Sequence, residues 1–168
     1  RVIDGAGLRD FGGEHEILQL QRIMNIKLWT AYANKRTQVL QQPYNRGKSD
    51  ASDRFLFHGT SETTPDVISA HGFDFRYSKG RGLWGRGMYF TSDVEYAKTF
   101  AFRSTPAKQG RMQLLIASVC LGRSAMLDKN KDIVRPPVGY DSVSGDVSGS
   151  PVFVTYDLDR AYPAYLLT

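Results

Sequence analysis

The sequence holds one cysteine in 168 residues. A lone thiol closes no internal disulfide and builds no cysteine metal cluster. It is Cys120, set in the apolar run Leu114–Leu121, where a small buried hydrophobe on a strand is the expected role. The missing disulfide framework points to a reducing, intracellular compartment, nuclear or cytoplasmic. No apolar run reaches the length of a bilayer-spanning helix, and no basic-then-apolar leader opens the chain. No membrane association is therefore expected. The chain starts at Arg1 rather than at a methionine, so it is expected to be part of a longer protein with flanking domains. Histidine is scarce: His15, His58 and His71 are too scattered to suggest a metal site. His71, beside Gly72 at a helix end, reads as structural, because a cationic side chain there favours the helix dipole. No serine sits in a Gly-x-Ser-x-Gly elbow. Gly80, Gly82, Gly85 and Gly87 lack Walker spacing and no helix follows them directly, which argues against a P-loop. No Gly-x-Gly-x-x-Gly follows a strand, which argues against Rossmann binding.

What is present describes one globular domain over residues 1–168. Hydrophobic residues make up 41% and charged residues 23%, enough apolar matter for a core and too little charge for a disordered chain. The net charge of +5 would attract polyanions. Its carriers are scattered, however. Lys48, Arg54, Arg76, Lys79, Arg81 and Arg86 form only a loose cluster, so a solvated surface explains them better than a dedicated nucleic-acid site.

Patterning predicts an extended lead-in over Arg1–Gly13, then a strand over Glu16–Ile23 from near alternation of apolar and polar residues. Asn25 can cap a first helix that stops near Gln42, before Pro43. Pro43–Asp53 reads as a loop and Arg54–Thr60 as a buried strand. Thr64-Pro65 opens a second helix that Gly72 ends. Tyr77–Gly87, with four glycines and three basic residues, reads as a mobile loop. Met88-Tyr89-Phe90 is a strand, Asp93 caps a third helix over Val94–Phe102, and Gln113–Leu121 is a long strand. Lys129–Ser150 reads mostly as loop, and Val152–Tyr156 and Tyr162–Leu167 as closing strands. The expected class is α+β, with a mainly antiparallel split β-sheet core flanked by helices.

Three segments carry chemistry: His58-Gly59-Thr60 after a strand, Gly87-Met88-Tyr89-Phe90 after the glycine-rich loop, and Val152-Phe153-Val154-Thr155-Tyr156-Asp157. Glycine after the histidine lets a ligand approach the backbone and meet an N–H and a C=O side by side, the complement of an amide. Tyr89, in an apolar strand at the border of the loop, suits a face that stacks on a planar ring.

In order and spacing these segments resemble the catalytic domain of the poly(ADP-ribose) polymerase family, the diphtheria-toxin-like ADP-ribosyltransferases. The resemblance extends from Ile23-Met24-Asn25 and Leu28-Trp29 through Leu56–Thr60 and Gly85–Thr91 to Phe153–Asp157 and Ala161–Leu166. It implies NAD as substrate, transfer of ADP-ribose, and no metal. It implies that Gly59 clamps the nicotinamide carboxamide, that Tyr89 stacks on the nicotinamide ring with Phe90 beside it, and that His58 bonds a ribose hydroxyl. It further implies that Thr60 reaches the adenosine side and that Tyr77–Gly87 forms a flap. Phe100, eleven residues after Tyr89, falls where the family has a second stacking aromatic; the plainer reading is one apolar face of the third helix.

Two positions depart from the polymerase pattern. Ala97 replaces a serine that bonds the carboxamide, and Val152 occupies the slot of the polymerase glutamate. The glutamate orients ribose hydroxyls and activates the acceptor for chain extension, and valine has no lone pair for either task. Family members with an apolar residue here are mono-transferases that are thought to borrow an acid from the substrate. The resemblance therefore implies transfer of a single ADP-ribose through a His58–Tyr89–Val152 triad. The acceptor would be a protein side chain, the protein itself included, or a nucleic-acid phosphate. The competing expectation is an inactive module of the same fold that binds NAD, ADP-ribose or a partner.

Overall fold

The computed structural model describes residues 17–47, 53–77, 80, 82–103 and 111–168. The lead-in Arg1–Gly13 and Ser78, Lys79 and Arg81 of the glycine-rich loop lie outside them. Among the described residues nine strands form one sheet around β5 (Met112–Cys120), which pairs with β2 (Asp53–His58) on one side and β9 (Ala161–Leu167) on the other. Leu114 to Cys120 are all buried, which explains the continuous apolar run: both faces of this strand are covered. Beyond β9 lies β1 (Leu20–Arg22). Beyond β2 come β3 (Met88–Thr91), β8 (Ser150–Thr155), β7 (Ser142–Val147) and β6 (Ser124–Met126), and β4 (Phe102–Arg103) pairs with the start of β5. Among the described residues every pairing is antiparallel except β6 with β7.

The sheet is nearly divided in two. Among the described residues β2 and β3 share a single register pair, Phe57↔Thr91, whereas β2 and β5 pair from Asp53↔Cys120 through to His58↔Leu115. That opening between His58 and Tyr89 is where the cavities described below lie.

The first two helices form where their caps place them. The Asn25 side chain accepts from Leu28 N–H to open α1 (Ile26–Leu40), and its amide donates to the carbonyls of Ser69 and Ala70. Tyr32 of α1 is fully buried and its hydroxyl bonds Ser118 of β5 at 3.0 Å. Thr64 caps α2 (Pro65–His71), with proline at the first helical position and Gly72 closing it at φ +85°. Cys120 is buried, and desolvation pushes its thiol up to about 11. Among the described residues no helix is long and apolar enough to cross a membrane.

Three expectations need correction. The first strand shortens to Leu20–Arg22, all exposed, because it is a sheet edge held only by β9. The third helix, α3 (Val94–Lys98), ends four residues early. Phe100 N–H and Ala101 N–H fall back on carbonyls three residues earlier, and Phe102 then pairs with Gln113 as β4. The stretch Lys129–Ser150 is mostly loop, as expected, but its Gly/Ser-rich part is not, since Ser142–Val147 forms β7 in the sheet interior. Its Ser-Val-Ser-Gly-Asp-Val composition resembles a turn, but the small residues have a packing reason. A Cβ on Gly145 would lie 2.0 Å from the Trp84 ring.

Candidate active site

β2 carries His58 to the rim of the split. Its Nδ1 bonds the Tyr89 carbonyl across the gap at 2.8 Å. A carbonyl only accepts, so Nδ1 carries the proton, and in the neutral ring Nε2 keeps a lone pair. Desolvation holds the imidazole pKa below its ordinary value, against the opposing effect of the Tyr89 bond, so the neutral form prevails at physiological pH. The rings of Phe73 and Phe90 fix its plane, with centroids at 5.1 and 5.5 Å.

Gly59 follows, and its missing side chain is required. A Cβ would meet the Ala97 carbonyl oxygen at 2.4 Å and the Phe100 backbone at 2.8 Å. The end of α3 therefore lies directly against this backbone. Two cavities meet here. The smaller, about 320 Å³, is lined by Gly59, Tyr89, Phe90, Ala97, Phe100 and Val152 among others. The larger, about 610 Å³, is lined by His58, Thr60 and the α2 side, with Gly59, Gly82 and Phe100 shared. All eight of the expected residues thus fall on one or both cavities.

Their environments differ. Tyr89 is half-buried, and its hydroxyl donates to the Gly85 carbonyl at 2.7 Å. Phe90 is 1% exposed and packs into the core. The Thr60 hydroxyl is engaged locally, donating to the Thr63 carbonyl at 2.6 Å. Phe100 lies past the end of α3 at 47% exposure, edge-on to Tyr96 at 5.3 Å. It is an open aromatic face at the junction of the cavities, not a buried helix position. Val152 is 2% exposed, between Thr91 of β3 and Gly145 of β7.

Among the described residues, none lining the smaller cavity is charged. Asp93 follows Thr91 by two residues but is already engaged. One of its carboxylate oxygens accepts from Glu95 N–H and Tyr96 N–H, and the other accepts from the Ser150 hydroxyl at 2.6 Å. The Ser150 bond is the main reason its pKa is held low. No described group of three or more histidine, cysteine or acidic residues could hold a metal.

Trp84 was missed from the sequence. It is 1% exposed and lines the smaller cavity from inside the glycine-rich loop. A tryptophan among glycines and basic residues was the available signal.

The sequence matches the family model of the poly(ADP-ribose) polymerase catalytic domain over residues 9–164. The chain belongs to this family. It is 28% identical over 175 residues to protein mono-ADP-ribosyltransferase PARP11 of Mus musculus, covering 91% of the chain and 52% of that protein. It is 30% identical over 159 residues to protein mono-ADP-ribosyltransferase PARP12 of Homo sapiens, covering 90% of the chain and 21% of that protein. With the human PARP14 mono-ADP-ribosyltransferase it shares 28% over 160 residues, 90% of the chain and 9% of the relative. The chain thus spans about half of PARP11 and much less of the other two.

Proposed function

We propose that the domain transfers one ADP-ribose from NAD to an acceptor and releases nicotinamide. The observation that carries the reading is a cavity without a charged side chain among its described lining residues, with Val152 at its wall and Gly59 and Tyr89 beside it. Nicotinamide fits the smaller cavity, its carboxamide on the N–H and C=O of Gly59 and its ring against Tyr89. The lone pair on His58 Nε2 accepts from a ribose hydroxyl, and the adenosine half extends into the larger cavity past Thr60. The glycosidic bond then breaks with its electron pair going to the nicotinamide nitrogen. An oxocarbenium-like C1′ is left for the acceptor. That step depends on positioning, which this wall supplies.

Chain extension needs a base for the incoming ribose hydroxyl. Val152 has no lone pair and Asp93 is engaged in capping, so transfer ends after one unit. The acceptor, a protein side chain or a side chain of this protein, brings its own acid. The mono-ADP-ribosyltransferase names of the relatives support the same reading. The reduced thiol of Cys120 suits an intracellular setting. Ala97 and Val152 also favour a second reading, an NAD-binding module without transfer, and labelling separates the two.

His58→Ala tests the assignment of the ribose contact. It should reduce transfer at least about tenfold, about 1.4 kcal/mol or more, in a chain that still folds; undiminished transfer would remove His58 from the mechanism. The pH dependence has a defined sign. Because the folded pKa of His58 is depressed, its contribution to stability is present above about pH 6.5 and is lost as the pH falls through the lower folded value. Protonation of folded His58 removes the Nε2 lone pair, so calorimetric NAD affinity should stay flat from about pH 8 to below about pH 6.5 and weaken as the pH falls through the lower folded value. Ala97→Ser restores a hydroxyl beside the Gly59 seat. It should tighten NAD by about 1 kcal/mol, roughly fivefold. Unchanged affinity would place the carboxamide elsewhere.

A further inference from the structure

We infer that Trp84 and Tyr156 are positioning residues for Tyr89: they fix the Gly82–Gly85 turn on the Tyr89 hydroxyl and so hold the ring against which nicotinamide stacks. The inference rests on the NAD site proposed above. It adds a role for a hydroxyl that stacking does not use.

Tyr89 needs such a restraint because of where it sits. On one side β3 pairs with β8, Tyr89 opposite Val154. On the other side the sheet is open, and the Tyr89 main chain is met by His58 Nδ1. The turn acts on the far end of the ring. Gly82 and Gly85 exchange both main-chain hydrogen bonds, at 3.0 and 3.1 Å. Trp84 N–H donates to the Tyr89 hydroxyl at 2.9 Å, and that hydroxyl donates onward to the Gly85 carbonyl at 2.7 Å. Gly82 closes over the ring tip, where a Cβ would lie 2.4 Å from Tyr89 Cζ.

The turn is itself anchored from two directions. The Tyr156 hydroxyl, just after β8, donates to the Trp84 carbonyl at 2.5 Å. The Trp84 indole N–H donates to the Leu127 carbonyl at 2.9 Å, and its ring occupies the space left by Gly145. A chain of contacts therefore runs from Tyr156 through the C=O and N–H of Trp84 to Tyr89. Burial raises the pKa of both phenols, so both remain donors across the physiological range.

The test uses Tyr89→Phe, Tyr156→Phe and the double variant, with nicotinamide and NAD titrated calorimetrically well below each melting temperature. Tyr89→Phe keeps the aromatic face, so stacking alone predicts unchanged binding. The proposal predicts nicotinamide weakened at least about fivefold. Tyr156→Phe, which reaches the ring only through Trp84, should weaken it in the same direction, with the KM for NAD rising more than kcat falls. The double variant should lose less than the product of the two, since both break one chain. Should Tyr156→Phe fail to fold, Tyr89→Phe decides. Folded phenylalanine variants that bind nicotinamide as tightly as the parent overturn the proposal and leave the NAD site standing. A parent chain that binds neither nicotinamide nor NAD overturns the site and the proposal together.

Discussion

Gly59→Ala should abolish detectable ADP-ribose transfer and lower stability by about 1–3 kcal/mol, the usual range for overpacking. The new Cβ would sit 2.4 Å from the Ala97 carbonyl oxygen and 2.8 Å from the Phe100 backbone. Both neighbours are main chain, so no side-chain rotation relieves the contact. Either α3 moves away from β2 or the Gly59 peptide turns. Each adjustment displaces a wall of the smaller cavity, because Gly59, Ala97 and Phe100 all line it. An amide recognised by the N–H and the C=O of Gly59 loses both bonds when the backbone dihedrals of that residue change, which corresponds to a loss of affinity of roughly a hundredfold. Thermal unfolding and NAD calorimetry read the two effects separately. A variant with the parent's melting temperature and affinity would show that the carboxamide is not seated at Gly59.

Val152→Glu should not create a polymerase. The side chain is 2% exposed, packed with Trp84, Val143, Val154 and Tyr156, and among the described residues no cation lines the cavity it borders. A carboxylate there is desolvated and unpaired, and the longer side chain overfills the site, together costing about 2–4 kcal/mol. Its pKa in the folded chain rises above the ordinary value of about 4.3. The variant therefore loses stability, relative to the parent, as the pH rises from about 4.3 through the folded value. Melting curves of both chains between about pH 4.5 and pH 8 should diverge toward the alkaline end. Labelling with NAD should give no high-mass smear. A smear, or a variant as stable as its parent at neutral pH, would mean that position 152 is an acceptor site ready for a glutamate.

The parts of the fold visible in the sequence were those set by local chemistry. Asn25, Thr64 and Asp93 each open the helix they were expected to cap, and the Leu114–Cys120 run is the doubly buried strand. What was not visible depends on distant partners. The end of α3 at Lys98 follows from the pairing of Phe102 with β5. The six residues of β7 are a strand because β8 and β6 flank them and Trp84 needs Gly145 bare. The site shows the same division. His58 and Gly59 stood out as a short motif after a strand, and Tyr89 as one after the glycine-rich loop. The engagement of Asp93 by Ser150, and the anchoring of Trp84 by Tyr156, involve residues 57 and 72 positions apart and have no local signature.

The measurement that tests the central claim most directly is incubation of the purified chain with labelled NAD, followed by gel analysis and mass spectrometry of the modified protein. The expected result is a single sharp labelled band, one ADP-ribose on each modified site, and label at least about tenfold weaker with His58→Ala. A ladder or smear of polymer would contradict it, as would a chain that binds NAD and transfers nothing.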